Sequence, residues 1–149
     1  MIEITRILAP VDFSPASDHA FAYAIELAAK LNAEVHAVHV YQLPVYTFTE
    51  GAVTAGPEVV TKIVDASNEA IKKLIDKHQR SGVTMHGHVL EGMPHEAILE
   101  LAQTKGVQLI VMGTHGRNGL TRFLLGSVAE RVVRTSSVPV LSIRSPETK

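Results

Sequence analysis

The sequence predicts an α/β fold in which helices cover both faces of an open parallel sheet of five strands. Short apolar segments alternate along the chain with longer segments whose apolar residues recur at helical spacing. This alternation is typical of parallel sheets, because each helix carries the chain back to the end where the next strand begins. The 149 residues are 46% hydrophobic and 19% charged, which suits one domain over 1–149 and excludes a disordered chain.

The first strand and the first helix are predicted from the beginning of the chain. The run over 4–11 is apolar, too short for a helix and followed by turn-forming residues, which is typical of a buried strand. Ser14 and Pro15 then supply a helix cap and a proline at the first helical position. Apolar residues at helical spacing predict a helix over 15–32, with Asn32 as its stop.

The remaining elements continue the alternation. Strands are predicted over 34–41, 83–90, 107–112 and 138–143, and helices over 58–80, 94–105 and 127–135. Residues 42–57 contain two prolines, two glycines and a single charged residue. We therefore expect a long, mobile connection there, of the kind that often carries function.

The composition excludes several classes of protein. The absence of cysteine excludes disulfide scaffolds, thiolate zinc sites and cysteine nucleophiles. No apolar stretch is long enough to cross a bilayer and the N-terminus lacks a signal-peptide pattern, so we expect a cytoplasmic protein with no membrane partner. The net charge of −1 disfavours nucleic acid as a partner.

The charge is nevertheless unevenly distributed. Residues 1–112 carry 8 basic and 13 acidic side chains, a net of −5, whereas residues 113–149 carry 6 basic and 2 acidic ones, a net of +4. Four of the seven arginines lie in or just after a glycine-rich segment over 113–127; they are Arg117, Arg122, Arg131 and Arg134. We interpret the chain as an acidic scaffold with one basic pocket for a small polyphosphate.

The glycine-rich segment follows an apolar strand and leads into a helix. Glycine lets the backbone approach a ligand closely, and a helix N-terminus offers free N–H groups to phosphate. Ligands of open parallel sheets bind at the carboxyl ends of the strands, where Asp12 also lies. Two purely structural alternatives stay open: Ser127 with Glu130 fits a capping box, and Asp12 could cap the first turn of a helix.

Familiar phosphate-binding motifs are absent. The first strand is followed by Asp12-Phe13-Ser14-Pro15 and not by G-x-G-x-x-G, and no G-x-x-x-x-G-K-[ST] occurs. A receiver domain would need an adjacent acidic pair after the first strand, which has one acid. Dinucleotide-binding, P-loop and receiver domains are therefore excluded.

The chain resembles the universal stress protein family, in its ATP-binding subgroup. The spacing Gly113-x2-Gly116-x9-Gly126-Ser127 matches the nucleotide-binding signature of that family. Three further segments are similar to it in the same order, so that the resemblance covers essentially the whole chain. These segments are Ile7-Leu8-Ala9-Pro10-Val11-Asp12-Phe13-Ser14, Leu109-Ile110-Val111-Met112-Gly113-Thr114-His115-Gly116, and Gly126 to Val133 continuing to Val138-Pro139-Val140-Leu141.

The resemblance implies an adenine nucleotide alpha hydrolase-like fold whose sheet has the strand order 3-2-1-4-5. It also implies that ATP binds at the strand carboxyl ends, with or without Mg²⁺ or Mn²⁺. Pro10, Val11 and Asp12 would line the adenosine, and the Val40 backbone would meet the adenine. Met112 and Gly113 would lie under the ribose and phosphates. The residues that would hold the phosphates are Gly116, Arg117, Gly126, Ser127 and Val128. The resemblance also implies a homodimer through the strand Val138–Ile143, paired antiparallel across a two-fold axis.

The eight histidines raise the question of a metal site. His36 and His39 are three apart on a predicted strand, so they face opposite sides and cannot hold one ion together. His86 and His88 share a face of an expected edge strand, but no third ligand is evident, and we predict no metal site. His115, within the glycine-rich segment, could hydrogen-bond a phosphate.

Three functions are compatible with these features. The main hypothesis is an ATP-binding regulatory module of the stress response, whose ligand-bound form a partner protein reads. A slow ATPase or phosphotransferase is the alternative, although phosphoryl transfer needs metal ligands and a placed nucleophile, and Asp12 is the only obvious acid nearby. The third hypothesis is a structural dimer without a physiological nucleotide. We predict no catalytic residue.

Overall fold

The computed structural model describes residues 1–115 and 125–146, and its elements alternate as the sequence predicts. In chain order they are β1 (Arg6–Pro10), α1 (Pro15–Leu31), β2 (Glu34–Tyr41), β3 (Val45–Phe48), β4 (Gly51–Thr54), α2 (Pro57–Lys77), a 3₁₀ turn (Gln79–Ser81), β5 (Met85–Glu91), α3 (Pro94–Thr104), β6 (Leu109–Gly113), α4 (Ser127–Thr135) and β7 (Val140–Ile143). No helix among these residues is long and apolar enough to cross a membrane.

The main sheet has five parallel strands in the order β5-β2-β1-β6-β7. Numbered among the five predicted strands, this order is 3-2-1-4-5, which confirms the predicted topology. Leu8 of β1 lies at the centre, opposite His36 of β2 on one side and Ile110 of β6 on the other. The edges of the sheet are β5, as predicted, and β7.

Two hydrophobic cores lie on opposite faces of the sheet. The first packs α1 and α2 against one face and includes Phe21, Val35 and Leu74. The second packs α3 and α4 against the other face and includes Leu8, Ile98 and Val132. Helices therefore cover both faces, and ligand access is left to the ends of the strands.

The ends of α1 follow the predicted capping signals. The Ser14 hydroxyl accepts a hydrogen bond from the Ser17 N–H at 3.2 Å, and Pro15 occupies the first helical position. Asn32 ends the helix in the left-handed region, with φ 54°, and its N–H donates to the Ala28 carbonyl. Four of the predicted strands begin two residues before the observed ones, β2 has the predicted bounds, and β5 and β6 each end one residue later than predicted.

The long connection expected over 42–57 contains regular structure that the sequence did not predict. Strands β3 and β4 form an antiparallel hairpin there, with Val45 opposite Thr54 and Phe48 opposite Gly51. The aromatic and β-branched residues of this segment favour strands, and Thr49 and Glu50 form a two-residue turn. The prolines and glycines that suggested a loop lie at its flanks and at its turn. All eight residues of the hairpin strands are exposed.

Candidate functional site

The predicted site residues within the described part of the chain lie at the carboxyl ends of the sheet strands. Pro10 is the last residue of β1, Gly113 is the last of β6, and Val40 is the penultimate residue of β2. Gly126 and Ser127 begin α4. Because β1 lies between β2 and β6, the carboxyl ends of these three strands are adjacent. Gly116 and Arg117 of the predicted set lie outside the described residues.

The loop after β1 is held by its own polar groups. Oδ1 of Asp12 accepts a hydrogen bond from the Ser14 N–H at 2.9 Å, and the Asp12 N–H donates to Oγ of Ser17 at 3.0 Å. One carboxylate oxygen of Asp12 thus forms a local turn with Ser14, whereas the first turn of α1 is capped by the Ser14 hydroxyl and not by Asp12. Its other oxygen makes no side-chain hydrogen bond to the described residues.

Phe13 holds this loop in an uncommon conformation. Its φ is +63°, in the left-handed region that a residue with a bulky side chain rarely adopts. The ring packs against His39, with 4.7 Å between ring centroids. Nδ1 of His39 donates in turn to the Val11 carbonyl oxygen at 2.9 Å. His39, which the sequence did not assign to the site, therefore fixes the loop beside Asp12 from the neighbouring strand.

The backbone of Val40 extends past the end of β1. The last paired residues of the two strands are Pro10 and Val38, and the Val38 carbonyl accepts from the Val11 N–H at 2.8 Å. Since backbone groups of alternate residues face the same neighbouring strand, those of Val40 face the same side as those of Val38. The N–H and C=O groups of Val40 lie beyond the end of β1. The edge of a planar ligand could form hydrogen bonds with them there.

The glycine-rich segment begins and ends at one place. The Gly126 N–H donates to the Thr114 carbonyl oxygen at 2.6 Å, which joins the start of α4 to the end of β6. At Gly113, a Cβ would lie 3.3 Å from the Ala16 carbonyl oxygen, so a side chain there would displace the first turn of α1 by a few tenths of an ångström. The N-terminal turn of α4 is thereby placed at the strand carboxyl ends.

His115 carries an unsatisfied polar atom at this point. Nδ1 lies 2.9 Å from the Thr114 hydroxyl, whereas Nε2 is buried and has no hydrogen-bond partner in the part of the chain that the structure describes. When the hydroxyl donates to Nδ1, the ring proton is on Nε2, which is then a donor. A buried donor without an acceptor costs about 1–3 kcal/mol, and an acceptor atom of a ligand could satisfy it.

The capping-box alternative for Ser127 was wrong. Gly126 is the N-cap of α4, so Ser127 is the first helical residue and no side chain caps the helix. The acid that the box required, Glu130, instead pairs with Arg134 one turn along the helix. Ser127 is exposed, and its hydroxyl and the first N–H groups of α4 are available to a ligand.

Three predicted residues can contact a ligand mainly through their backbones. The side chains of Val11 and Met112 are each 5% exposed and belong to the two hydrophobic cores. Val128 is half-buried against the second core. Their side chains therefore set the shape of the strand ends, and only their N–H and C=O groups remain for recognition.

Several histidines gather at the opposite end of the sheet. His36 lies opposite His86 in the register of β2 and β5, and Nδ1 of His36 lies 2.9 Å from Nε2 of His88. Burial lowers the pKa of both His36 and His88, which favours their neutral forms. A hydrogen bond from His36 lowers the pKa of Glu34. No third ligand for His86 and His88 is evident from the sequence, whereas the structure places Glu34 and His36 beside His86.

Comparison with known proteins gives a consistent result. The model of the Universal stress protein family matches residues 3–144. A universal stress protein of Methanocaldococcus jannaschii is 38% identical over 143 residues, which covers 95% of this chain and 83% of the relative. The solved structure of the hypothetical protein MJ0577 superposes with a TM-score of 0.82 at 25% identity, covering 99% of this chain and 100% of that one.

Two further solved structures with this fold contain adenine nucleotides. A universal stress protein in complex with cAMP superposes with a TM-score of 0.72 at 23% identity, covering 97% of this chain and 100% of that one. A universal stress protein from Archaeoglobus fulgidus in complex with dAMP superposes with a TM-score of 0.62 at 22% identity, covering 96% and 99%. At these identities the likeness of either structure to this chain is one of fold.

Proposed function

The chain belongs to the universal stress protein family, and on that premise we propose that it binds ATP at the carboxyl ends of β1, β2 and β6 and acts as a nucleotide-dependent regulatory module. The observation that carries the proposal is the hydrogen bond from Gly126 to Thr114, which sets the first turn of α4 beside β6. Free N–H groups of a helix start favour phosphate there.

The phosphate end of the site combines three kinds of donor. The N-terminal turn of α4 supplies backbone N–H groups and a partial positive charge. The Ser127 hydroxyl is exposed, and Nε2 of His115 is a buried ring nitrogen without a partner among the described residues. The glycine signature adds Gly116 and Arg117. These groups fit a polyphosphate, whose charge-assisted hydrogen bonds are about twice as strong as neutral ones.

The nucleoside end of the site is the gap beyond β1. The Val40 backbone offers a donor and an acceptor to the edge of a base, and the loop Pro10–Asp12 offers the second carboxylate oxygen of Asp12 to ribose hydroxyls. His39 and Ser17 hold this loop before a ligand arrives. Pre-organisation of this kind lowers the entropic cost of binding. Other family members solved with cAMP and dAMP support an adenine nucleotide as the ligand.

A regulatory role is favoured over fast phosphoryl transfer by the side chains at the site. Mg²⁺ or Mn²⁺ accompanying ATP would neutralise charge on the phosphates. Asp12 is the one carboxylate among the predicted site residues, and half of it is engaged with Ser14. Rapid transfer needs several metal ligands and a positioned nucleophile. A slow ATPase or phosphotransferase remains the second proposal, and it uses the same donors.

A homodimer through β7 is part of the proposal. Within the part of the chain that the structure describes, β7 pairs only with β6, and it contributes Val140, Leu141 and Ile143 to a half-buried apolar edge. An exposed short strand of this composition tends to pair with another chain. Two copies related by a two-fold axis would extend the sheet antiparallel through this edge.

Titration with nucleotides tests the proposal. Purified protein is titrated calorimetrically with ATP, ADP and AMP, each with and without Mg²⁺, and phosphate release is followed in parallel. We expect saturable binding of ATP with one site per chain and little phosphate release. Absence of binding at millimolar ATP would leave only the structural dimer, and release of phosphate at steady turnover would establish the enzyme instead.

A further inference from the structure

A group of potential metal ligands lies at the amino ends of β2 and β5, away from the proposed nucleotide site. Glu34, His36 and His86 offer one ligand atom each, and these atoms all lie within 4.8 Å of one another. Nε2 of His36 lies 3.1 Å from Oε1 of Glu34, and Nε2 of His86 lies 3.5 Å from Oε2. A tetrahedral ion with bonds of about 2.0–2.1 Å needs ligand atoms about 3.3 Å apart.

The positions of these side chains follow from the strand register. Residues two apart on a strand share a face, so Glu34 and His36 lie on the same face of β2. His86 is paired with His36 across to β5, and their rings stack at 4.7 Å with an angle of 22°. His36 is buried, whereas His86 is about half exposed. A solvated ion can therefore reach a ligand set whose central member is already fixed by packing.

His88 completes the arrangement from behind His36. Its Nε2 lies 2.9 Å from Nδ1 of His36, so one of the two nitrogens carries the proton. In the arrangement without an ion, Nε2 of His36 donates to Glu34 and Nδ1 accepts from His88. When an ion occupies Nε2, the His36 proton is on Nδ1 and donates to His88. Metal-binding histidines generally have such an acceptor on their second nitrogen, which fixes the tautomer.

We propose that Glu34, His36 and His86 bind a divalent transition-metal ion of the Zn²⁺ class, with His88 positioning His36. Two imidazoles and one carboxylate are a ligand set that zinc uses with a fourth position left to water. Imidazole also excludes Mg²⁺ and Ca²⁺ as the natural occupants, because these ions prefer oxygen ligands. The ion would clamp the edge strand β5 to β2 and stabilise the folded chain by mass action.

Two positive side chains near Glu34 should weaken binding of the ion, and removing one of them tests the site. Nε of Arg6 donates to Oε1 of Glu34 at 3.1 Å, the same oxygen that His36 contacts. Lys105 adds a more distant positive charge. An incoming cation competes with Arg6 for the carboxylate. Arg6→Gln should therefore increase the affinity for the ion severalfold, whereas a purely structural cluster predicts no such gain.

Calorimetric titration of the chelator-treated, tag-free full chain with Zn²⁺, without nucleotide, tests the site. We expect one ion per chain, at least tenfold weaker binding in His86→Ala and Glu34→Gln, and a loss of about ten- to a hundredfold in His88→Gln. His19→Ala, which removes an exposed histidine of α1, is the matched control and should bind normally. Co²⁺ should give the intense visible bands of tetrahedral coordination in the wild type.

The opposite results would overturn the site. They are no binding at micromolar Zn²⁺, or the same affinity in His86→Ala as in His19→Ala. Circular dichroism of each variant guards against misfolding, and His86→Ala is the decisive change because that ring is on the surface. The result is independent of nucleotide binding, since the ligands lie at the other end of the sheet.

Discussion

The Gly126 N–H and the Thr114 carbonyl oxygen are joined by a hydrogen bond of 2.6 Å. This contact closes the glycine-rich segment at its base and fixes the N-terminus of α4 beside the last residue of β6. Both residues flank the stretch over 116–124, which the structure does not describe. The hydrogen bond therefore joins the start of α4 to the end of β6 through residues that the structure describes.

Gly126→Val should weaken ATP binding at least tenfold. A branched side chain at this N-cap would stand where phosphate oxygens approach the first N–H groups of α4. Gly56→Val is the matched control, because Gly56 is also a glycine N-cap, at the start of α2 and in open space. Calorimetry with ATP distinguishes the two variants. Equal affinities in both would show that the phosphates bind elsewhere.

His115→Gln should lower ATP affinity about ten- to a hundredfold, which corresponds to the net value of one hydrogen bond to a charged group, about 1.5–3 kcal/mol. It should not lower the free energy of unfolding, since Nε2 has no partner among the described residues. His19→Gln serves as the control, because it changes an exposed histidine of α1. Denaturant unfolding and ATP titration are compared. A loss of stability without a loss of affinity would assign His115 a structural role only.

Gly87→Ala should destabilise the fold by about 1–3 kcal/mol, the usual cost of overpacking a core. A Cβ at this position of β5 would lie 2.4 Å from Cγ2 of Ile71 in α2. Ile71→Ala removes that methyl group, so the double variant should be more stable than the sum of the two single effects. Urea unfolding of the four proteins measures the coupling. Strict additivity would mean that the helix is not held against the strand at Gly87.

His78→Gln should reduce the loss of stability on acidification. Burial, and then the charge of Lys77, lower the pKa of His78 below its usual 6.5, and its ring packs edge-on against Phe21. A lowered folded pKa contributes stability above the unfolded pKa, and this stability is lost as the pH falls through the folded value. The melting temperature should therefore fall less between about pH 7 and about pH 5 in His78→Gln than in the wild type. The exposed His19→Gln should behave as the wild type, and the same slope in both variants would contradict the assignment.

Ser142→Pro should convert the proposed dimer into a monomer without unfolding it. The carbonyls of Pro139 and Ile143 face β6, so the backbone of Ser142 faces the open edge of β7. Proline there removes an outward N–H and leaves the pairing with β6 intact. Ser142→Ala keeps the N–H and should remain dimeric. Light scattering at micromolar concentration measures the oligomeric state of each protein. A monomeric wild type would contradict the proposed dimer.

The fold was predictable because each element carried its own local signal. The caps of α1, the apolar strands and the strand order implied by the family resemblance all agree with the structure. The hairpin over 45–54 was missed because the prolines and glycines around it outweighed its β-branched and aromatic residues. The local sequence pattern does not distinguish a hairpin from a loop when strand-favouring and turn-favouring residues occur together.

The site was predictable in part. The sequence and the family resemblance named Asp12 and Val40, and the structure places both at the strand carboxyl ends. The contacts of His39 and Ser17 were not predicted, because they depend on pairing between separate elements. The pairing of His36 with His86 was missed for a related reason. The predicted strand order made β2 and β5 neighbours, but only the register places the two rings opposite each other.

The most direct test of nucleotide binding at the strand carboxyl ends is an ATP titration of the ¹⁵N-labelled chain, monitored through backbone amide chemical shifts. We expect the largest shifts at the carboxyl ends of β1, β2 and β6 and at the first turn of α4, including Val40, Thr114 and Ser127. Amides of Met85 and His86 at the opposite end should move little. No shifts at millimolar ATP, or shifts centred on the amino ends of the strands, would contradict the account.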